Sequence, residues 1–178
     1  MKGKYLNKNS GGLDSMQVYI NETLAEEVLN LLCAKNYKIG IAESCTGGLL
    51  SYHFTALGGA SAVLDGAMVS YANAIKASWL GVSAVHLQEY GAVSEPVVRA
   101  MCAGILNQSG ADVALATSGV AGPSGGSAQK PVGCVYIGAQ MKGSEAVIAR
   151  YQFDGNRNAV QSQSCTQALE MLLTLLKS

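Results

Sequence analysis

Short apolar runs alternate with amphipathic segments along this sequence, and two glycine-rich loops directly follow apolar runs. The runs YKIGIAES, GAMVSY and ADVALATSG are bounded by turn residues, as buried strands are. Strands that alternate with helices favour an α/β layered domain. The runs CVYIGAQ and AVIARYQF, joined by MKGSE, predict an antiparallel hairpin. We therefore predict a single α/β domain whose mixed, mostly parallel sheet is flanked by helices.

Five segments predict the helices of this domain. The first begins behind Asn21, with apolar residues at helical spacing in NETLAEEVLNLLCAKN. Further helices are predicted for LLSYHFTAL, for the short segment YANAIKASWLG, for SEPVVRAMCAGILNQSG and for 156–177. Residues 1–15 are polar and lack periodicity, so we expect a mobile leader there and the domain over 16–178.

Charge is scarce and balanced: 12 Lys and Arg stand against 12 Asp and Glu, and 13% of residues are charged. Without a basic excess, a small molecule is a better candidate partner than a nucleic acid or an anionic membrane. No apolar run reaches the roughly 20 residues of a membrane span, and the start lacks the apolar region of a signal peptide. We therefore expect a cytoplasmic protein, and the apolar share of 49% favours a homo-oligomer.

The cysteines and histidines give no sign of a metal site. Five cysteines are an odd number, they are widely spaced without a C-x-x-C pair, and the chain has 2 histidines. Neither a disulfide framework nor a zinc site is indicated by this pattern. We therefore predict that the protein uses no metal and no cofactor.

The stretch IAESCTGGLLS places Ser44 at a turn between a strand and a helix. Amides at a helix start are unsatisfied, so those of Cys45, Thr46, Gly47 and Gly48 can hold an oxyanion or a phosphate. Two interpretations of the serine stay open, because it either caps the helix or acts as a nucleophile. The loop is not a P-loop, since no lysine follows its glycines. Cys45 is a competing nucleophile, because a helix N-terminus lowers the pKa of a thiol.

A serine nucleophile needs a base, and the sequence offers a lysine rather than a histidine. His53 and His86 have no acidic partner in a recognisable pattern, which does not favour a triad. Lys76 lies among apolar and aromatic residues, where burial would lower its pKa from about 10.4 towards neutrality. It is then either the base or a lysine whose amine reaches water from a helix end. Tyr71 and Asn73, just upstream, could orient the lysine, a water or a substrate amide.

The second glycine-rich loop, TSGVAGPSGG, begins around Ser118 and Gly119. Successive glycines let backbone amides approach an anion closely, so the loop is either an anion-binding nest or a long connector. Lys130 and Arg157 are the cations that could complete a phosphate site, although simple solvation explains either side chain equally well.

Five dispersed motifs together resemble the CinA C-terminal domain family, and in particular its nicotinamide-nucleotide amidases. The motifs are AESCTGG, YANAIK, GAVSEPV, SGVAGPSGG with KPVG, and FDGNR, and they occur in the order and approximate spacing typical of the family. The resemblance covers the chain from about Asn21 to Leu176. It implies deamidation of nicotinamide mononucleotide to nicotinate mononucleotide, with release of ammonia and without a metal.

The resemblance also implies roles for individual residues. Ser44 corresponds to the family's nucleophile, Lys76 to its base and Tyr71 to an assisting residue. The residues that correspond to the family's nucleotide-binding positions are Ser118, Gly119 and Arg157. Two positions depart from the family pattern, since Ser118 replaces a threonine and Gln161 stands where a second late arginine is common. The second change weakens the expectation of phosphate binding.

Overall fold

The structure, a computed structural model, describes residues 21–178. Five strands and six α-helices follow one another along this part of the chain. The strands are β1 Ile39–Glu43, β2 Leu64–Val69, β3 Val113–Gly119, β4 Cys134–Met141 and β5 Val147–Gln152. The helices are α1 Glu22–Lys35, α2 Leu49–Thr55, α3 Asn73–Leu80, α4 Ala84–Glu89, α5 Glu95–Ser109 and α6 Arg157–Lys177.

The strands form one sheet in the order β2-β1-β3-β4-β5. β1 lies between β2 and β3 and runs parallel to both, whereas β4 pairs antiparallel with β3 and β5. The parallel part of the sheet uses helical crossovers, and the β4–β5 hairpin supplies the antiparallel part. The predicted α/β fold with a mixed sheet is confirmed.

Helices cover both faces of the sheet, and the strands alternate accordingly. On β3, Val113 and Leu115 pack into the core beneath α1, α2 and α6, whereas Ala114 and Ala116 face the core formed with α5. Successive side chains of a strand point to opposite faces, so a strand covered on both sides is buried throughout. This explains why ADVALATSG is an almost continuous apolar run in the sequence.

A close contact between two helices fixes the position of α3. A Cβ atom added to Gly104 of α5 would lie 2.1 Å from the carbonyl oxygen of Leu80, the last residue of α3. Only glycine permits this approach, because any larger residue would collide with the backbone of the neighbouring helix. The approach holds α3 against α5, and Lys76 of α3 contacts Ser44 and Ser70, the residues that directly follow β1 and β2.

The structure adds two elements that the sequence did not predict, namely α4 and a single 3₁₀ turn, Ala60–Ala62. Both are short, and short helices carry too little periodicity to be recognised. The predicted mobile leader over 1–15 lies outside the described residues, as does the start of the domain predicted from residue 16. Within 21–178, no helix is both long enough and apolar enough to cross a membrane.

Candidate active site

The turn after β1 presents Ser44, and a buried carboxylate shapes that turn. The Glu43 side chain is fully buried and accepts hydrogen bonds from the amides of Gly48, Leu50 and Ser51 at 2.9, 3.1 and 2.8 Å. An acidic side chain is a favourable partner for the amides at a helix start. Glu43 therefore caps α2, and the Ser44 hydroxyl is not needed for that role. The sequence analysis missed this residue, because Glu43 ends β1 and lies six positions before α2, outside the usual cap position.

Positive φ angles let the chain turn sharply between Ser44 and α2. Gly47 and Gly48 have φ values of 64° and 103°, a region in which residues with a Cβ atom are strained. Two glycines in succession therefore reverse the chain within a few residues. The reversal leaves Ser44 at the carboxyl end of β1, with its own amide donating to the Thr117 carbonyl of β3 at 3.0 Å.

The amine of Lys76 contacts the hydroxyl of Ser44. Lys76 Nζ lies 2.9 Å from Ser44 Oγ, although 32 positions separate the two residues in the sequence. The same nitrogen donates to the backbone carbonyls of Ser70 and Tyr71 at 2.6 and 3.1 Å. Lys76 is 1% exposed and Ser44 is 8% exposed. The amine is thus enclosed by protein and does not reach solvent.

Burial lowers the pKa of Lys76, because the charged ammonium loses its hydration. No salt bridge to a carboxylate offsets this loss among residues 21–178. In its charged form the amine donates one hydrogen to each of these three oxygens; in its neutral form two hydrogens serve the carbonyls of Ser70 and Tyr71, and the lone pair faces the Ser44 hydroxyl. A hydroxyl in contact with a buried amine whose pKa is lowered is the contact that the predicted nucleophile and base require.

Cys45 lies beside the serine but lacks the environment of a reactive thiol. Burial raises the pKa of the Cys45 thiol to about 12. The thiolate is the nucleophilic form of cysteine, and a thiol with this pKa remains protonated near neutral pH. The start of α2 therefore does not activate Cys45, and of the two neighbouring candidates Ser44 is the one whose side chain contacts the Lys76 amine.

Several polar groups of the turn are already used within the protein. The Thr46 hydroxyl pairs with that of Thr117 at 2.8 Å, and the Gly47 amide donates to the Ser44 carbonyl at 3.2 Å. The Gly48 amide belongs to the Glu43 cap. Of the four amides predicted to bind an anion, those of Gly47 and Gly48 are thus occupied, whereas no acceptor from another residue of 21–178 pairs with those of Cys45 and Thr46.

A cavity of about 200 Å³ opens above Ser44 and Lys76. Seven residues predicted for the site line this cavity, together with Ala92, Val93 and Ala121; the seven are Ser44, Cys45, Tyr71, Lys76, Ser118, Gly119 and Arg157. A larger groove of about 760 Å³ lies along α6 near Phe153 and Glu170, but it contains none of these residues. We assign the site to the smaller cavity, because the chemically matched groups meet there.

Tyr71 and Arg157 form one side of the cavity. The Arg157 guanidinium donates to the Tyr71 hydroxyl at 3.1 Å and to the Gly122 carbonyl at 3.0 Å. Tyr71 is 61% exposed, so its ring lies at the mouth rather than in the interior. Because the tyrosine oxygen accepts from Arg157, its own O–H remains able to donate towards the cavity.

Ser118 and Lys130 hold the loop that forms another wall of the cavity. The buried Ser118 hydroxyl donates to the Ala92 carbonyl at 2.8 Å, and the Lys130 amine donates to the Tyr90 carbonyl. Lys130 does not line the cavity, and neither does Asn73, which is exposed in the first turn of α3. The structure thus brings Ser118 to the site as part of its wall and leaves Lys130 and Asn73 outside it.

Neither histidine takes part in this arrangement. His53 is buried in α2, where its Nδ1 lies 2.8 Å from the Leu49 carbonyl and burial lowers its pKa. His53 and His86 are both absent from the cavity lining. Among residues 21–178, no group of three or more His, Cys, Asp or Glu side chains is placed to hold a metal ion.

Comparison with known proteins places the chain among close relatives. The family model described as the CinA C-terminal domain matches residues 21–176. A protein of Enterobacter agglomerans named nicotinamide-nucleotide amidohydrolase PncC is 47% identical over 150 residues, which cover 84% of this chain and 92% of that protein. A CinA-like protein of Thermotoga maritima is 42% identical over 157 residues, covering 88% of this chain. The chain spans 38% of the length of that second relative.

Solved structures of similar proteins have the same fold as this chain. A CinA superfamily protein of Klebsiella pneumoniae superposes with a TM-score of 0.85 at 35% identity, covering 88% of this chain and 97% of that one. A competence/damage inducible protein of Agrobacterium tumefaciens gives a TM-score of 0.86 at 35% identity, covering 92% of this chain and 100% of that one.

Proposed function

Because the chain belongs to the CinA C-terminal domain family, we propose that it is an amidohydrolase that converts nicotinamide mononucleotide to nicotinate mononucleotide and ammonia. Two findings support this proposal. A relative named as a nicotinamide-nucleotide amidohydrolase aligns along 84% of this chain. The observation that carries the proposal is the 2.9 Å contact between the buried Lys76 amine and the Ser44 hydroxyl at the floor of a cavity.

In the first step, the neutral Lys76 amine accepts the Ser44 proton while Ser44 Oγ bonds to the carboxamide carbon. The carbonyl oxygen becomes an oxyanion in a tetrahedral intermediate. The amides of Cys45 and Thr46 are the available donors for this charge, and preorganised donors of this kind stabilise the transition state strongly. Thr117 on β3 accepts the Ser44 amide, and the Glu43 carboxylate accepts the Gly48 amide before α2, so the two donor amides need little reorganisation.

In the second step, the intermediate collapses and the carbon–nitrogen bond breaks. The protonated Lys76 donates a proton to the departing nitrogen, which leaves as ammonia; where the Tyr71 hydroxyl is the immediate donor, the lysine proton replaces the one that the tyrosine gives. The nicotinate moiety remains as an ester on Ser44. Lys76, neutral again, then accepts a proton from water, the hydroxide attacks the ester carbon, and the serine oxygen leaves with a proton from the lysine. One amine therefore serves as both base and acid.

The cavity suits one end of the substrate better than the whole nucleotide. A volume of about 200 Å³ accommodates a flat ring with its carboxamide, whereas sites for larger ligands usually exceed roughly 300 Å³. The ribose and phosphate would then extend to the rim. Arg157 lies at that rim, and its guanidinium can form paired hydrogen bonds with a phosphate after releasing Tyr71 or Gly122.

The proposal is tested by measuring ammonia release from nicotinamide mononucleotide. We expect Ser44→Ala to lose the activity and Lys76→Met to lower kcat by about 10²- to 10⁴-fold, the range for general acid–base groups. Lys142→Met is the control, because this exposed lysine lies away from the cavity. An alanine variant at position 44 that retains the full rate would refute the serine nucleophile. A thermal shift with the nucleotide but no ammonia would instead indicate a binding module without turnover.

We also propose a cytoplasmic location and a homo-oligomeric assembly. Tyr52, Val69 and Trp79 are large apolar side chains that are 52%, 41% and 49% exposed, and Val69 lies on the edge strand β2. Apolar groups exposed near a sheet edge favour contact with another protein surface. Light scattering coupled to size-exclusion chromatography measures the assembly, and a monomer at all concentrations would contradict it.

A further inference from the structure

Gln161, near the C-terminal end of the chain, contacts the turn over residues 44–48 that presents Ser44. It lies on α6, one helical turn beyond Arg157, and is partly buried. Its Nε2 donates to the Cys45 carbonyl at 2.7 Å, across 116 positions of sequence. Gln161 does not line the cavity, and an added Cβ on Gly47 would lie 3.8 Å from its Nε2. The side chain thus packs against the back of the turn, where it does not face a ligand.

Other bonds hold the two ends of the turn and the Thr46 side chain, whereas Gln161 holds the carbonyl of Cys45. At the first end, the Ser44 amide donates to the Thr117 carbonyl at 3.0 Å. At the second end, the Glu43 carboxylate accepts the Gly48 amide. The peptide between Cys45 and Thr46 lies between these anchors, and Gln161 is the donor to its carbonyl.

Holding the Cys45 carbonyl also determines where the next amide points. The peptide unit is planar and trans, so its C=O and N–H groups point in opposite directions. Gln161 therefore sets the orientation of the Thr46 amide, one of the two proposed donors to the oxyanion. A hydrogen bond to the carbonyl also polarises the peptide and makes its N–H a stronger donor.

We propose that Gln161 is a positioning residue, which holds the Cys45–Thr46 peptide so that the Thr46 amide is ready for the oxyanion. The proposal rests on the proposed amidohydrolase function. A group that acts only on the oxyanion affects the transition state more than the bound substrate, so its loss lowers kcat and leaves KM nearly unchanged. A phosphate-binding role for this position would instead change KM.

The test compares Gln161→Met, Gln161→Arg and Gln163→Met. Methionine matches glutamine in length but lacks a donor, whereas arginine keeps one. Gln163 is the matched control, because it is an exposed glutamine on the same helix whose Nε2 donates to the Asp154 and Ala159 carbonyls. We expect Gln161→Met to lower kcat by about 10- to 100-fold with KM within about 2-fold, Gln161→Arg to recover most of the loss, and Gln163→Met to match wild type.

A second readout needs no turnover. Hydrogen exchange of the peptide that spans 42–50 should be faster in Gln161→Met and unchanged in Gln163→Met, because the central peptide has lost its anchor. If wild type releases no ammonia, the proposed function fails while the exchange experiment still tests the anchor. Unchanged exchange, an unchanged kcat or an effect confined to KM in Gln161→Met would overturn the positioning role.

Discussion

The Glu43 carboxylate should control both the stability of the domain and the activity at Ser44. One of its oxygens accepts the amides of Gly48 and Leu50, and the other accepts that of Ser51. In Glu43→Gln, the amide oxygen can keep the first two bonds. The side-chain NH₂ then faces the Ser51 amide, so one bond is lost and two donors meet in a buried place.

The loss of stability in Glu43→Gln follows from these three hydrogen bonds. A hydrogen bond to a charged group contributes about 1.5–3 kcal/mol, and the two retained bonds weaken because their acceptor becomes neutral. We expect Glu43→Gln to lower the free energy of unfolding by about 2–4 kcal/mol. For a domain of this size the corresponding fall in Tm is about 5–15 °C. Because the turn shifts, kcat for ammonia release should fall at least about 10-fold.

Urea denaturation followed by circular dichroism measures the free energy, and an ammonia assay under native conditions measures kcat. Glu26→Gln is the control, since Glu26 is an exposed residue of α1 and its replacement should change stability by less than about 0.5 kcal/mol. If Glu43→Gln were as stable and as active as this control, the buried carboxylate would not determine the conformation of the turn over residues 44–48.

Three further predictions concern Lys76, Cys45 and Gly104. Because burial lowers the Lys76 pKa, kcat/KM should rise with pH along a limb that lies below the ordinary lysine value of about 10.4. Between the lowered pKa of Lys76 and about 10.4, the unfolded chain binds one proton more than the folded chain, so the free energy of unfolding should also rise with pH in this range. If the free energy of unfolding of Lys76→Met rose equally with pH, this prediction would be contradicted. Cys45→Ala should keep kcat within about 10-fold, because a protonated thiol is not the nucleophile; loss of all activity with the fold intact would contradict this. Gly104→Ala should lower the free energy of unfolding by about 1–3 kcal/mol in urea, since its Cβ would lie 2.1 Å from the Leu80 carbonyl, and a neutral effect would show that α3 shifts freely.

Local patterns in the sequence were sufficient for the strands, most helices and the glycine turns. The apolar run of β3 and the periodic run of α5 follow from burial of the strand on both faces and of the helix on one, and each pattern lies within a short segment of sequence. The turn at Gly47 and Gly48 could be predicted equally well, because glycine is the residue type that adopts positive φ angles without strain. The sequence also contains a serine and a lysine that could act as nucleophile and base, Ser44 and Lys76, but it does not show that they lie in contact.

Only the tertiary structure decided which polar groups meet. Lys76 reaches Ser44 because β1 and β2 run parallel and end side by side while α3 packs against α5, and a spacing of 32 positions does not imply this meeting. The same packing leaves Lys130 on a neighbouring loop and brings Gln161 to the Cys45 carbonyl. Hydrogen bonds act over about 3 Å, so the pairing of polar groups depends on the positions of whole helices and strands. Those positions are set by the core on both faces of the sheet.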